Sequence, residues 1–271
     1  MVAVPELPEV ESVRRQLAPR LAGRTVLAVH TDPQARFSDV ERAAGHRVAS
    51  LGRRGKYLLA PLDGGLELVM HLGMTGSFRF RDGVDAWVPD AYVRATFELD
   101  DGVLDFRDVR RFGRLAVVPA GDYSGIATLA ALGPEPLSAA FDPARFHADL
   151  ARTRTPVKPA LLAQRVVAGV GNIYADEALW RARVNPRARR LSRLRTDRLW
   201  LAIREVLTAA IEREGTTFRD YRMVNGESGR NADFLVAYGQ GGRPCPRCAR
   251  PLRKVVLGGR GTTYCPSCQR H

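Results

Sequence analysis

Lysine is scarce in this chain. Of its 42 basic residues only Lys56, Lys158 and Lys254 are lysine; the rest are arginine. A bias toward GC-rich codons accounts for that skew. Under such a bias a surviving lysine hints at a site that wants a compact ammonium or a neutral amine rather than a guanidinium. Cysteine is missing until the last 27 residues, and nothing else marks the chain as secreted, so disulfides are not expected. No apolar run approaches the roughly 20 residues a spanning helix needs. The opening MVAVPELPEVESVRR has no signal-peptide apolar region and turns acidic at once. Internal repeats and long low-complexity tracts are absent too. These absences lead to the expectation of a soluble cytoplasmic protein with no membrane partner. Acids number only 29, leaving a net charge of +13, an excess that points to nucleic acid as partner.

What is present is concentrated at the C-terminus. Cys245, Cys248, Cys265 and Cys268 form two C-x-x-C pairs. Their spacing is that of a four-cysteine zinc site closed over a β-hairpin. The stretch from Gly242 to His271 is rich in Arg and has no Asp or Glu, so a metal-stapled hairpin here would face phosphate. One structural zinc is expected, fully ligated and therefore remote from any chemistry.

Upstream, Val10, Val13, Leu17 and Leu21 share one helical face, which predicts an N-terminal amphipathic helix. From about Thr25 to Val118, short alternating runs separated by turns such as Asp63-Gly64-Gly65 and Asp100-Asp101-Gly102 predict a β-sandwich or barrel-like domain. LGPEPLS, Leu132–Ser138, reads as a linker. Beyond it the apolar spacing is helical. The expected fold is therefore α+β. Residues 1–131 would form the N-terminal β-sandwich domain, 132–138 the linker, 139–235 a helical domain and 236–271 the zinc finger.

PELPEVE, Pro5–Glu11, suits a helix start, where proline is tolerated and glutamate favours the dipole. It also suits chemistry. A chain-terminal proline is a secondary amine able to act as a nucleophile, with Glu6 placed to shuttle a proton. AGVGNIYADEAL, Ala168–Leu179, reads as two turns entering a helix, with Asn172 suited to its N-cap. Arg260 sits between glycines at the tip of the zinc hairpin.

Six blocks occur in order: PELPEVE, MHLGMTGS (Met70–Ser77), DVRRFG (Asp108–Gly113), LGPEP (Leu132–Pro136), AGVGNIYADEAL and GGRGTTYCPSCQ (Gly258–Gln269). Together they resemble the bacterial formamidopyrimidine-DNA glycosylases across essentially the whole chain. The resemblance implies a bifunctional glycosylase and abasic-site lyase of base excision repair, acting on 8-oxoguanine and formamidopyrimidines in double-stranded DNA. It implies a helix-two-turn-helix element in the helical domain and a monomer that suffices for activity. It assigns catalysis to Pro5, Glu6, Lys56 and Arg260, with Pro5 forming a Schiff base that collapses by β- and δ-elimination. It places Met74, Arg110 and Phe112 in the DNA stack, where extruding a base leaves a gap to fill. Lys158 and Asn172 would touch the DNA backbone, with Glu177 and His71 in support. The segment around Thr216–Asn231 would cover the flipped base.

The chain departs from the family at three places. MVAV precedes Pro5, which puts the proline nitrogen in an amide that is neither basic nor nucleophilic. Initiation at Val4, whose codons include GTG, would restore Met-Pro and a free proline; trimming would do the same. Asp90 stands where the family often has a DNA-contacting histidine, and Gln240 where it usually has arginine. Two rivals therefore stay open: an endonuclease VIII-like glycosylase for oxidised pyrimidines, and a non-catalytic damaged-DNA-binding homologue that retains residues 1–4.

Overall fold

The computed structural model describes residues 4–82, 90–217 and 223–270. The chain divides into two compact units. One comprises Met1–Ala130 with Glu214–Arg230; the other comprises Ala131–Arg213 with Asn231–His271.

The first unit opens with α1, Leu7–Leu21, which carries Pro8 in its first turn. The four residues of its apolar stripe, Val10, Val13, Leu17 and Leu21, are all buried. Nine strands follow: β1 (Val26–Thr31), β2 (Arg36–Ser38), β3 (Gly52–Arg54), β4 (Tyr57–Leu62), β5 (Leu66–His71), β6 (Gly76–Arg81), β7 (Val93–Leu99), β8 (Val103–Asp108) and β9 (Arg114–Pro119). They form a four-stranded sheet in the order β1-β7-β8-β6 and a five-stranded sheet in the order β2-β9-β5-β4-β3. All pairings are antiparallel except β2 with β9.

One apolar core joins the two sheets and the helix. Leu58, Leu68, Met70 and Leu115 come from the larger sheet, and Phe78, Phe97, Leu104 and Phe106 from the smaller. Phe106 anchors it, with its ring 5.0 Å from Phe78 and 6.1 Å from Phe37. Each such side chain contributes about 1.5–3 kcal/mol by leaving water, so the helix and both sheets are stabilised together. Met223, from the segment that returns after residue 213, is buried in the same core, and Thr216 pairs with Arg230 to close that segment on itself.

The second unit is helical, with α2 (Ala127–Ala130) standing just before it in the chain. Its helices are α3 (Pro143–Arg152), α4 (Val157–Leu162), α5 (Asn172–Arg181) and α6 (Arg193–Glu212). Asp142 caps α3 through the amides of Ala144 and Arg145, and Ser192 caps α6 through Arg195. The antiparallel hairpin β10 (Arg253–Leu257) and β11 (Arg260–Tyr264) completes it. The architecture is the α+β arrangement read from the sequence: an N-terminal helix with a β-sandwich, a helical domain, and a cysteine-bearing hairpin.

Candidate active site and nucleic-acid interface

Pro5 is buried immediately before α1, and Glu6 beside it is only 2% exposed. The peptide that carries them is fixed by Glu9. Its Oε2 accepts the Glu6 N–H at 2.8 Å, and its Oε1 accepts the Thr216 N–H at 2.6 Å. The first contact ties the helix start to its own third residue; the second ties it to the returning segment. Gly215 makes the second possible. Its φ is +83°, and a Cβ there would lie 2.8 Å from Glu9 Oε1. Sequence reasoning misses Glu9 as a functional residue, although a glutamate three positions after the helix cap is the signal.

Glu11, two residues further on, accepts from Arg14, Arg15 and Arg53. Burial works against its charge, yet the three guanidiniums bring its carboxyl down to about 2. Arg53 spans from Glu11 to the carbonyl of Gly55, at 3.1 and 3.0 Å. It thereby sets the β3–β4 turn that bears Lys56. His71 lies opposite Tyr57 in the β4–β5 register, with the rings 4.7 Å apart. Burial, then the charges of Lys56 and Arg114, push the His71 pKa down to about 4. His71 is therefore neutral at neutral pH, and its Nδ1 accepts the Gly73 N–H at 3.1 Å.

Two loops that sequence could only suggest belong together are locked by a buried acid, Asp108, 1% exposed. One of its oxygens accepts from the Thr75 hydroxyl and the Arg110 N–H, the other from the Gly113 N–H at 2.7 Å. Thr75 in turn accepts the Arg110 N–H at 3.0 Å. Gly73 lets the loops touch: its φ is +65°, and a Cβ would meet the backbone of Phe112 and Gly113 at 2.5 Å. The lock brings Arg110 and Phe112 into one exposed feature, the guanidinium 4.8 Å from the centre of a ring that is 39% exposed. Half-buried Met74 sits in the partner loop. Asp90 is occupied within the sheet region, pairing with Arg107 and accepting the Tyr92 N–H.

The second unit corrects two expectations. Lys158 was expected on the DNA backbone, but it is completely buried. Its ammonium donates to Asp176 Oδ1 at 2.7 Å and to the Gly261 carbonyl at 3.0 Å. Asp176 Oδ2 accepts the Thr263 N–H at 2.9 Å. The lysine thus staples β11 to α4 and α5, and its ammonium is shielded from phosphate. Asn172 was expected to cap α5; Gly171 is the cap and Asn172 the first helical residue. Its Oδ1 is buried without a hydrogen-bond partner among the described residues. Glu177 receives the N–H groups of Val236, Ala237 and Tyr238. Burial raises its pKa, with those donors opposing. Gln240, in the arginine position of the family, turns its amide inward to the Leu235 carbonyl. Arg260 is exposed, next to a turn in which Gly258 and Gly259 both take positive φ. Residues 218–222, part of the expected covering segment, lie outside the described residues.

The ligand atoms of Cys245, Cys248, Cys265 and Cys268 all lie within 4.8 Å of one another. A tetrahedron with zinc–sulfur bonds of about 2.3 Å requires sulfurs roughly 3.8 Å apart, so the four cysteines fit one structural zinc. Gln269 supports the knuckle, accepting from Cys265 N–H and donating to the Val184 carbonyl. Trp180 packs on this cluster. Its indole N–H is buried without a hydrogen-bond partner among the described residues. The Arg247 guanidinium lies over that ring at 3.8 Å.

Comparison with known proteins agrees with this geometry. The formamidopyrimidine-DNA glycosylase N-terminal domain matches residues 4–115, the H2TH domain of the same glycosylases matches 132–222, and the zinc finger found in FPG and IleRS matches 242–270. A formamidopyrimidine-DNA glycosylase of Deinococcus radiodurans is 47% identical, covering 98% of this chain and 97% of the relative. The crystal structure of MutM (Fpg) from Thermus thermophilus is 48% identical and superposes with a TM-score of 0.91, over 98% of both chains. A Lactococcus lactis Fpg bound to DNA containing N7-benzyl-Fapy-dG is 33% identical, with a TM-score of 0.89 over 98% of this chain and all of that one. The chain belongs to the formamidopyrimidine-DNA glycosylase family.

Proposed function

We propose that this chain is a DNA glycosylase and abasic-site lyase of base excision repair that removes oxidised purines, 8-oxoguanine and formamidopyrimidines, from duplex DNA as a monomer. The observation that carries the reading is the buried start of α1. Pro5 and Glu6 are buried there, the Glu6 N–H is held by the Glu9 carboxylate and the Glu6 carboxyl accepts the Glu9 N–H, at the head of a domain of this family.

The chemistry follows from a free Pro5 nitrogen. The amine attacks C1′ as the bond to the base breaks, and the leaving base takes up a proton. Glu6 holds or moves protons at the opening sugar, which gives an iminium ion on Pro5. Loss of a C2′ proton expels the 3′ phosphate, and a second elimination expels the 5′ phosphate. Lys56 and exposed Arg260 meet the phosphates and assist these eliminations. Arg110, with its donor fork, takes the base left without a partner, and Phe112 fills the gap. Met74 fills the place of the extruded base. Asn172, with its unsatisfied oxygen, and the α5 start bind backbone. Zinc supplies no step; it holds the hairpin that carries Arg260. Residence in the cytoplasm, on the nucleoid when DNA-bound, fits a DNA-repair role.

Trapping tests the reading. Borohydride reduction with an 8-oxoguanine duplex is expected to yield a covalent adduct at Pro5 in protein made from its native gene, with N-terminal sequencing starting at Pro5. Protein that keeps Val4 and gives no adduct would leave a damage-binding homologue instead. Preferential release of thymine glycol over 8-oxoguanine would favour the pyrimidine-repair reading.

A further inference from the structure

The loop that presents Arg110 and Phe112 has a left-handed residue between them. Arg111 holds a φ of +55°, a region that side-chain-bearing residues seldom adopt and that glycine enters freely. Asp108 grips this turn on either side of it, at the Arg110 and Gly113 N–H groups. Arg111 is gripped separately, through its side chain, by Asp32 just beyond β1. Its Nε and Nη2 both donate to Asp32 Oδ2, at 3.1 and 3.0 Å.

Asp32 is itself fixed on several sides. Its N–H donates to the Arg94 carbonyl at 2.7 Å, and its Oδ1 accepts the Gln34 N–H at 2.9 Å. Its Oδ2 also accepts from Arg94 Nη1 at 3.0 Å. Arg94, on β7, closes the circuit, since its Nε donates to the Asp108 carbonyl at 2.9 Å. The side chains of Arg94 and Asp32 are 9% and 16% exposed, that of Arg111 40%. Stability alone is a poor reason for this arrangement. A pair as exposed as Asp32 with Arg111 contributes little to folding, and the left-handed backbone between them works against it. What the circuit does is sort two adjacent arginines. Arg111 is committed to Asp32, while the Arg110 guanidinium lies over the Phe112 ring.

We infer that Asp32 and Arg94 are positioning residues that set discrimination of the base opposite the lesion. They hold Arg111 in its left-handed conformation and so fix the direction from which Arg110 meets that base. The inference rests on the proposed function, in which Arg110 takes the base left without a partner. Guanine's partner is cytosine, which offers the adjacent acceptors O2 and N3 to an arginine fork. The pairing edge of adenine sets an amino donor beside a single acceptor. The fork tells the two apart only when it is aimed along that edge, because hydrogen bonds weaken steeply with misalignment.

Equilibrium binding of the zinc-loaded full chain to duplexes bearing an abasic-site analogue opposite cytosine or opposite adenine tests the inference. Single-turnover excision of 8-oxoguanine opposite each base is measured alongside. Wild type is expected to prefer cytosine in both. Asp32→Ala and Arg111→Ala each cut that preference about tenfold. The double variant loses no more than either alone, because the two residues act through one contact. Arg94→Lys, which keeps the charge but not the fork, lowers the preference partway. Arg111 is the more exposed partner, so its variant reads the contact even if Asp32→Ala fails to fold. The inference is overturned by a wild type that binds both duplexes alike, by variants that melt earlier yet keep the full preference, or by additive losses in the double variant. Opposite responses overturn it too: Arg111→Ala weakening every duplex alike while Asp32→Ala strengthens them would make Arg111 a phosphate contact that Asp32 restrains. A wild type that binds with the preference but releases no base fails the glycosylase reading and not this one.

Discussion

At the scale of single residues, the groups that would touch DNA depend on buried ones that do not. Arg110 and Phe112 are presented by Asp108, which gathers one hydroxyl and two backbone donors from two loops. Replacing Asp108 with alanine strips the Thr75 hydroxyl and the Gly113 N–H of this acceptor, at about 1–3 kcal/mol each, and leaves the Arg110 N–H with the Thr75 oxygen alone. The expected outcome is a loss of at least about 2 kcal/mol in urea unfolding, with excision of 8-oxoguanine falling further than binding to undamaged duplex. The Trp180 indole packs one layer behind the four cysteines. Trp180→Phe removes its N–H while keeping most of the ring, and outer-layer donors of this kind are worth about 10–100-fold in metal affinity. Zinc release to a chromogenic chelator should quicken accordingly, a readout that needs no DNA.

At the scale of elements, the zinc hairpin is attached to α4 and α5 by the buried pair of Lys158 and Asp176 and its two backbone contacts on β11. A buried pair contributes little net stability when both partners are present, but removing one strands a charge. Asp176→Ala should therefore cost about 3–5 kcal/mol, whereas Lys158→Met with Asp176→Leu should come close to wild type in denaturant unfolding. If the double variant keeps its stability but loses β,δ-elimination, the pair serves to aim Arg260 rather than to hold the fold. A fully restored double variant would assign it to stability alone. The two elements that carry Lys56 and His71 are joined differently, through the β4–β5 register and the span of Arg53 from Glu11 to Gly55.

At the scale of the whole molecule, pH reports on the first unit. His71 has a folded pKa near 4, below its ordinary 6.5. Above pH 6.5 both folded and unfolded chains keep it neutral, and it has no effect on stability. Between 6.5 and 4 the unfolded chain takes up a proton that the folded one refuses, so stability falls as pH drops through that window and levels off below it. Glu11, lowered from 4.5 to about 2, adds a second loss between those values. Melting temperatures at pH 7 and pH 5 should therefore differ more for wild type than for His71→Gln. An equal shift in both would show that His71 does not govern this window.

Much of the chain declared itself in its residues. The apolar stripe of α1 follows from a 3.6-residue period, the sandwich strands from alternation between turns, and the zinc knuckle from two C-x-x-C pairs, because periodicity and short-range ligand spacing are local properties. Lys158 shows the limit of that reading: a lone lysine in an arginine-rich chain signals a special site, but not which one. Its partners are Asp176, 18 residues away, and Gly261, 103 residues away, and only the packing of β11 on α5 decides that its charge is spent inside the protein. Glu9 and Asp108 read as ordinary acids of a helix start and a loop, since their work depends on Thr216 and Thr75 arriving from distant parts of the chain. The sequence determined which elements form and which family they build; the tertiary structure decided which charges are buried in pairs and which stay at the surface, because burial and Coulomb partners are set by distances in space that spacing along the chain does not encode.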